Sequence, residues 1–256
     1  MIVYALPVVG FLVGLLIISF GGGGGAVYIG ILTVFFHVSP AVATSTSLAT
    51  IIPTAAAGSV SHWKAGNVNV RLGFTMLSGG ILGAIAGSLY SDALPETLYH
   101  KLTGIIMCML ALQMFITFLR RKKNGKDGKR TTGRIKRSAY AKAVLFGVLG
   151  GAMSGLMGLS GSSPIVAGLT ILGCSALETV GTSVLVLLGL SITGFLMHLG
   201  LGSVDWKPVG LLAIGTVSGG ALGPVLLKHF DKARLEKVLH PVLLVMTAGM
   251  GILLLF

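Results

Sequence analysis

Apolar residues fall in long blocks along this chain, at positions 42–61, 70–89, 98–119, 180–199, 209–227 and 238–256. Each block matches the roughly 20 mostly apolar residues that a helix needs to cross a bilayer core. Two further apolar regions, 2–36 and 139–172, are interrupted by glycine. The pattern predicts an all-α polytopic membrane protein of about eight membrane segments, counting each interrupted region as one broken helix or hairpin. Composition agrees, with 54% apolar and 10% charged residues, far from an ordinary soluble domain. The start of the chain lacks the basic flank and small-residue cleavage site of a signal peptide, so it reads as part of the mature protein.

Charge is unevenly placed. Arg120, Arg121, Lys122 and Lys123 open a basic run that extends to Arg137 with Asp127 as its single acid. A short hydrophilic loop of this kind reads as a cytoplasmic connection with anionic lipid headgroups as neighbours, rather than as a nucleic-acid-binding face. It divides the chain into a first transmembrane repeat (1–119), a basic loop (120–138) and a second repeat (139–256). Cys108 and Cys174 lie in or beside apolar segments and imply neither a disulfide framework nor a zinc site. Nothing in the sequence calls for a cofactor or a bound metal.

The two sides of the loop repeat one another in order. Gly21 to Gly25 aligns with Leu159, Ser160, Gly161, Ser162 and Ser163, and Thr44-Ser45 aligns with Thr182-Ser183 at the same offset. His62 and His198 follow, each with a glycine four residues on, Gly66 and Gly202. Ser78-Gly79-Gly80-Ile81-Leu82-Gly83 is answered by Ser218-Gly219-Gly220-Ala221-Leu222-Gly223.

Orientation follows from charge. If each interrupted region crossed once, the halves would be parallel and Lys228, Lys232, Arg234 and Lys237 would face outward, against the positive-inside rule. If each enters and returns to the same side, the halves are inverted and Lys64, Arg71, the loop and the 228–237 cluster are cytoplasmic. Inversion is the expected arrangement, with both termini outside.

Local signals refine the boundaries. Ser39-Pro40 offers a capping hydroxyl and a proline suited to the first helical position. Ser175 and Glu178 have capping-box spacing, so Glu178 reads as a cap before it reads as a proton carrier. Pro53 is expected to kink its span. Gly79, Gly83 and Gly87, then Gly215, Gly219 and Gly223, recur at four-residue spacing and predict close helix packing in lipid. Trp63 and Trp206 read as interfacial anchors, and His37, His100, His229 and His240 as interfacial tips.

The candidate chemistry lies at the breaks. Consecutive glycines inside a membrane segment leave peptide groups without helical partners, which hydrocarbon penalises by several kcal/mol each unless protein, water or a ligand meets them. Broken helix ends also present free N–H groups and a positive dipole end to an anion. Gly22, Gly23 and Gly24 in one half, and Ser160, Gly161, Ser162 and Ser163 in the other, are the candidate substrate-binding residues. Thr44 and Ser45 with Thr182 and Ser183 could complete the lining, or bond back to their own helix carbonyls. His62 and His198, repeated by the duplication, are candidate anion partners or proton relays.

The glycine-rich break, the triplet Ala43-Thr44-Ser45, the His62-x3-Gly66 turn, the Ser-Gly-Gly-x-Leu-Gly element and the two-half arrangement together resemble the sulfite exporter TauE/SafE family over nearly the whole chain. The resemblance implies a bacterial or archaeal plasma-membrane carrier of sulfite, organosulfonates or related organosulfur anions. The second half departs from a plain glycine run by carrying Leu159 and three serines. Alternating access around a midplane site between the breaks is the expected mechanism, with coupling to H+ or Na+ and assembly as a homodimer left open.

Two other classes share part of this pattern. A passive anion channel shares every feature except the ability to concentrate substrate. An intramembrane serine protease is suggested by Gly158-Leu159-Ser160-Gly161, but only 37 residues separate Ser160 from His198, the aligned residue Gly22 has no hydroxyl, and proteolysis does not explain the duplication.

Overall fold

The computed structural model describes residues 6–20, 24–91, 95–124, 137–199, 204, 206–229, 245, 248–249, 251–253 and 255, and every regular element among them is helical. The first half comprises α1 (Leu6–Phe20), α2 (Gly25–Gly30, prolonged by a π-helical turn Ile31–Phe35), α3 (Pro40–Lys64), α4 (Val70–Ser91) and α5 (Glu96–Asn124). The second comprises α6 (Arg137–Met157), α7 (Ser162–Ile171), α8 (Ala176–His198) and α9 (Trp206–His229). Most of the 238–256 block, the loop 125–136 and most of the basic 228–237 cluster lie outside the described residues. Three stretches, Val70–Ser91, Ala139–Met157 and Leu177–His198, are long and apolar enough to cross a membrane by length and composition. With 25, 29 and 24 residues, α3, α5 and α9 also exceed the roughly 20 that a span needs.

The polarity of the bundle is that of a protein dissolved in lipid. Leu82, Tyr90, Leu145, Leu196 and Ile214 are exposed, while Thr44, Ser45, Thr46, Ser47, Thr50, Thr182, Ser183 and Ser191 are fully buried. Hydroxyls turned inward can find partners that hydrocarbon does not offer.

Glycine decides which helices touch. A Cβ added at Gly147, Gly151 or Gly155 of α6 would collide with the carbonyl oxygens of Met76, Gly80 and Ala84 on α4. In return, Gly79, Gly83 and Gly87 of α4 abut the carbonyls of Val144, Val148 and Ala152. Both residue series rise together, so α4 and α6 run parallel at backbone contact, the arrangement that small residues permit in a membrane. Gly215 and Gly219 of α9 meet the carbonyls of Pro7 and Phe11 on α1, and Gly10 and Gly14 meet those of Leu212 and Thr216. Each half thus lends its opening helix to the other half's glycine stripe.

Gly151→Val is expected to force α4 and α6 apart at an overpacking cost of about 3 kcal/mol. A thermal-unfolding series in detergent should show a clearly lowered midpoint. Gly210→Val is the control, because no atom of the described residues lies within 4 Å of a Cβ there, and its midpoint should stay at or above that of the parent.

The centre is formed by α3 and α8, which run antiparallel. Gly194 lies against the Leu48 side chain at one end, and Gly181 against His62 and the Asn67 backbone at the other. By contrast, α4 runs parallel to α8, with Gly73 beside Thr182 and Leu185, and Gly80 beside Leu190. Within the second half α7 folds back along α6, bringing Ile165 against Gly150 and Gly168 against Phe146.

Helix ends follow local chemistry, with one exception. The His62-x3-Gly66 turn is a Schellman cap in which Asn67 N–H donates to His62 C=O at 3.0 Å and Gly66 N–H donates to Trp63 C=O at 3.0 Å. No atom of the described residues lies within 4 Å of a Cβ at Gly66, so it is the φ of +69° that calls for glycine. Ser175 Oγ accepts from Glu178 N–H at 3.3 Å, one arm of the expected capping box. Helix α3 does begin at Pro40, yet the Ser39 side chain makes no capping bond. That side chain is exposed. Pro53 sits inside α3, which continues as one helix across it.

Candidate functional site

Helix α6 ends at Met157 and α7 starts at Ser162. The turn between them uses three left-handed residues, Gly158 (φ +64°), Ser160 (φ +62°) and Gly161 (φ +59°). Glycine adopts this conformation freely, whereas for serine it costs on the order of 1–2 kcal/mol. Ser160 is 1% exposed, and its hydroxyl has no hydrogen-bond partner among the described residues. A buried unpaired hydroxyl costs about 1–3 kcal/mol. Gly161 caps α7 without any side-chain bond, so the first-turn N–H groups, including those of the half-buried Ser162 and Ser163, have no helical acceptor.

In the first half α1 ends at Phe20 and α2 starts at Gly25, preceded by the left-handed Gly24 (φ +64°). Gly22 and Gly23 lie outside the described residues. Gly24 also caps its helix without a side-chain bond. The two turns meet: a Cβ on Gly25 would stand 2.7 Å from Gly158 O, 2.9 Å from Leu159 C and 3.0 Å from Ser160 N. Around them Met157 and Leu159 join Val27, Tyr28, Ile29, Ile51 and Val184 in one apolar cluster.

The hydroxyl-bearing helices divide. Thr44 packs on Gly158, whose Cβ position is 2.9 Å from Thr44 Cγ2, and Ser47 Oγ donates to Gly158 C=O at 3.3 Å. Ser45 and Ser183 donate to the carbonyls of Val42 and Val180 at 3.1 and 2.9 Å. Thr182 turns instead to the other half, where its Oγ1 accepts from Asn69 N–H at 2.8 Å.

The repeated histidines are not brought together. Antiparallel packing of α3 and α8 puts His62 beside Gly181 at the start of α8, and His198 at the far end of that helix. There His198 Nδ1 lies 2.9 Å from Gly194 O and 3.4 Å from Ser88 Oγ, while Ser88 Oγ donates to Gly155 C=O at 3.2 Å. His198 therefore stands one turn of α6 from the second break, and His62 belongs to another group of polar side chains. Among the described residues no histidine is hydrogen-bonded to Ser160.

Sequence reasoning missed Asn69. It stands before α4, accepts from Leu72 N–H through Oδ1 at 3.2 Å, and donates from Nδ2 to Glu178 Oε1 at 2.8 Å. The available signal was an asparagine directly before an apolar block, an N-cap signature. Tyr28 and Ser154 were also passed over; both are fully buried, and neither hydroxyl has a partner among the described residues. Just before α8, burial and then the charge of Glu178 push the Cys174 thiol up to about 12, which keeps it protonated and a poor nucleophile.

Comparison with known proteins places this geometry in context. The family description sulfite exporter TauE/SafE matches residues 6–250. The chain is similar to the probable membrane transporter protein YdhB of Bacillus subtilis, with 29% identity covering 96% of this chain and 97% of that protein. It is also similar to the probable membrane transporter protein YjnA of Bacillus subtilis, at 27% identity over 93% of each chain. A probable membrane transporter protein of Methanocaldococcus jannaschii is 26% identical over 94% of this chain and 92% of its own length. No solved structure matches.

Proposed function

The chain belongs to the sulfite exporter TauE/SafE family, as a multi-pass membrane transporter of that type, and on this premise we propose that it carries small oxyanions, sulfite or organosulfonates, by alternating access around the meeting point of its two breaks. One observation carries the reading: the start of α2 and the α6–α7 turn, both glycine-dependent and both without side-chain caps, touch one another inside the bundle. Peptide N–H groups gathered there, with the Ser160 hydroxyl, offer an anion the donors that hydrocarbon denies it.

We further propose that the halves are inverted. Support comes from helix direction: the equivalent helices α3 and α8 run antiparallel, and α6 runs parallel to α4 and α8. On that reading Arg71 at the start of α4 and Arg137 at the start of α6 share the cytoplasmic face, as positive charge prefers, and one half or its hairpin rocks against the other. Lys207 decides between the arrangements, because inversion puts the start of α9 outside and parallel halves put it inside. A Lys207→Cys variant in intact cells is expected to react with a membrane-impermeant maleimide, while Lys64→Cys reacts only after permeabilisation. Labelling of both positions only after permeabilisation would favour parallel halves.

The activity itself is tested by counterflow in proteoliposomes with sulfite, sulfonates and carboxylates, with and without H+ or Na+ gradients. Accumulation of labelled sulfite or sulfonate above its equilibrium level is expected. Flux that only equilibrates the anion would leave a passive channel, and preference for carboxylates would remove the sulfur-oxyanion assignment.

A further inference from the structure

At the end of the bundle where α3 stops and α4 and α8 begin, a polar group joins the two halves. Asn69 bonds three ways: its Oδ1 accepts from Leu72 N–H within α4, its backbone N–H donates to Thr182 Oγ1, and its Nδ2 donates to Glu178 Oε1. The last two bonds cross between halves, at 2.8 Å each, and both end on α8, one turn apart. Glu178 is also fixed from its own side, because its N–H donates to Ser175 Oγ. Gly181, in the same turn of α8, lies against His62 and the Asn67 backbone, so no slack separates the ends of these helices.

The duplication does not repeat this arrangement. Gly66-Asn67-Val68-Asn69 has its counterpart in Gly202-Ser203-Val204-Asp205, and the position matching Glu178, four before the Thr-Ser pair, is Pro40. Where one end of the molecule has an amide donor facing a carboxylate, the sequence of the other has an aspartate and a proline, which cannot form that bond.

We infer that Asn69 is a positioning residue of the transport cycle: with Glu178 and Thr182 it forms a one-sided latch that holds the mouth beside Lys64 and Arg71 closed, and that must part for the site to open there. Both bonds are lost together if α4 and α8 separate. The inference does not depend on which solute is carried.

The test separates the latch from the cap that the same residue supplies to α4. Asn69→Asp keeps an oxygen for Leu72 N–H, since aspartate caps as well as asparagine, but it removes the donor to Glu178 and sets two carboxylates together. In a background with Cys108 and Cys174 replaced by serine, the reporter is Ser183→Cys, a fully buried position, labelled by maleimide from the side on which an exposed Lys64→Cys reacts. Asn69→Asp is expected to speed labelling about tenfold, and adding Glu178→Gln, whose amide donates to Asp at 69, should return it to the parent rate. Glu178→Ala, which leaves every backbone bond intact, should also speed labelling, and it serves if Asn69→Asp does not accumulate in the membrane. Parent-rate labelling in either single variant, or failure of the double variant to slow it, would overturn the latch.

Discussion

Ser160→Gly is expected to make the protein more stable and the transporter worse. The serine sits at φ +62° with a buried hydroxyl that has no partner among the described residues. Glycine removes both the left-handed strain and the unpaired group, and should stabilise the fold by about 1 kcal/mol, which a thermal-unfolding series in detergent would resolve. Transport should move the other way. If the hydroxyl donates to an oxyanion, its loss removes a hydrogen bond to a charged group, a fall of roughly tenfold or more in sulfite counterflow. The aligned residue in the first half is Gly22, so the duplication itself places glycine at this position. Unchanged or faster transport by the more stable variant would take Ser160 out of the site.

The larger effect is expected from Gly161→Val. Its φ of +59° is strained for any L side chain and most for a β-branched one, and its Cβ would collide with the carbonyl of Gly150. Strain and overpacking together come to about 3 kcal/mol against the closed α6–α7 hairpin. Because each 1.4 kcal/mol is a factor of about ten, counterflow should fall by at least about a hundredfold. Helices α3, α4, α8 and α9 keep their apolar length, so the variant should still insert in the membrane. Normalising flux to inserted protein separates the two readouts, and a variant that inserts and transports at the parent rate would contradict a role for this turn.

Much of this arrangement was legible in the chain. Apolar block lengths locate α3, α4, α5, α8 and α9 to within a few residues, because a bilayer imposes a minimum length that composition alone satisfies. Order and spacing of the glycine stripes announced close packing, since Gly79, Gly83 and Gly87 do contact another backbone. Their partner was not legible: nothing in a four-residue repeat says that α4 meets α6 of the other half. The histidines misled for a related reason. Duplication places His62 and His198 at matching positions, but antiparallel packing of α3 and α8 carries them to opposite ends.

Polar contacts were the least readable part. The Thr-Ser pair recurs in both halves, as Thr44-Ser45 and Thr182-Ser183, yet Ser45 and Ser183 turn back to their own helices while Thr182 crosses to Asn69. Such choices depend on what the neighbouring helix presents, which a pattern along one chain does not carry. The same holds for Glu178, read from its spacing as a cap; its backbone does take the cap of Ser175, while its carboxylate reaches the other half. Ser39 has the residue type of a cap, yet its exposed side chain makes no capping bond.

The most direct measurement is an experimental density map of the protein with a bromine-labelled sulfonate bound. The expected map shows the chain leaving the helix between Met157 and Ser162, and the sulfonate lying between that turn and the start of α2, within hydrogen-bond reach of Ser160. A helix continuing unbroken through 158–161, or a sulfonate seated away from both turns, would contradict the claim that the two breaks meet to hold an anion.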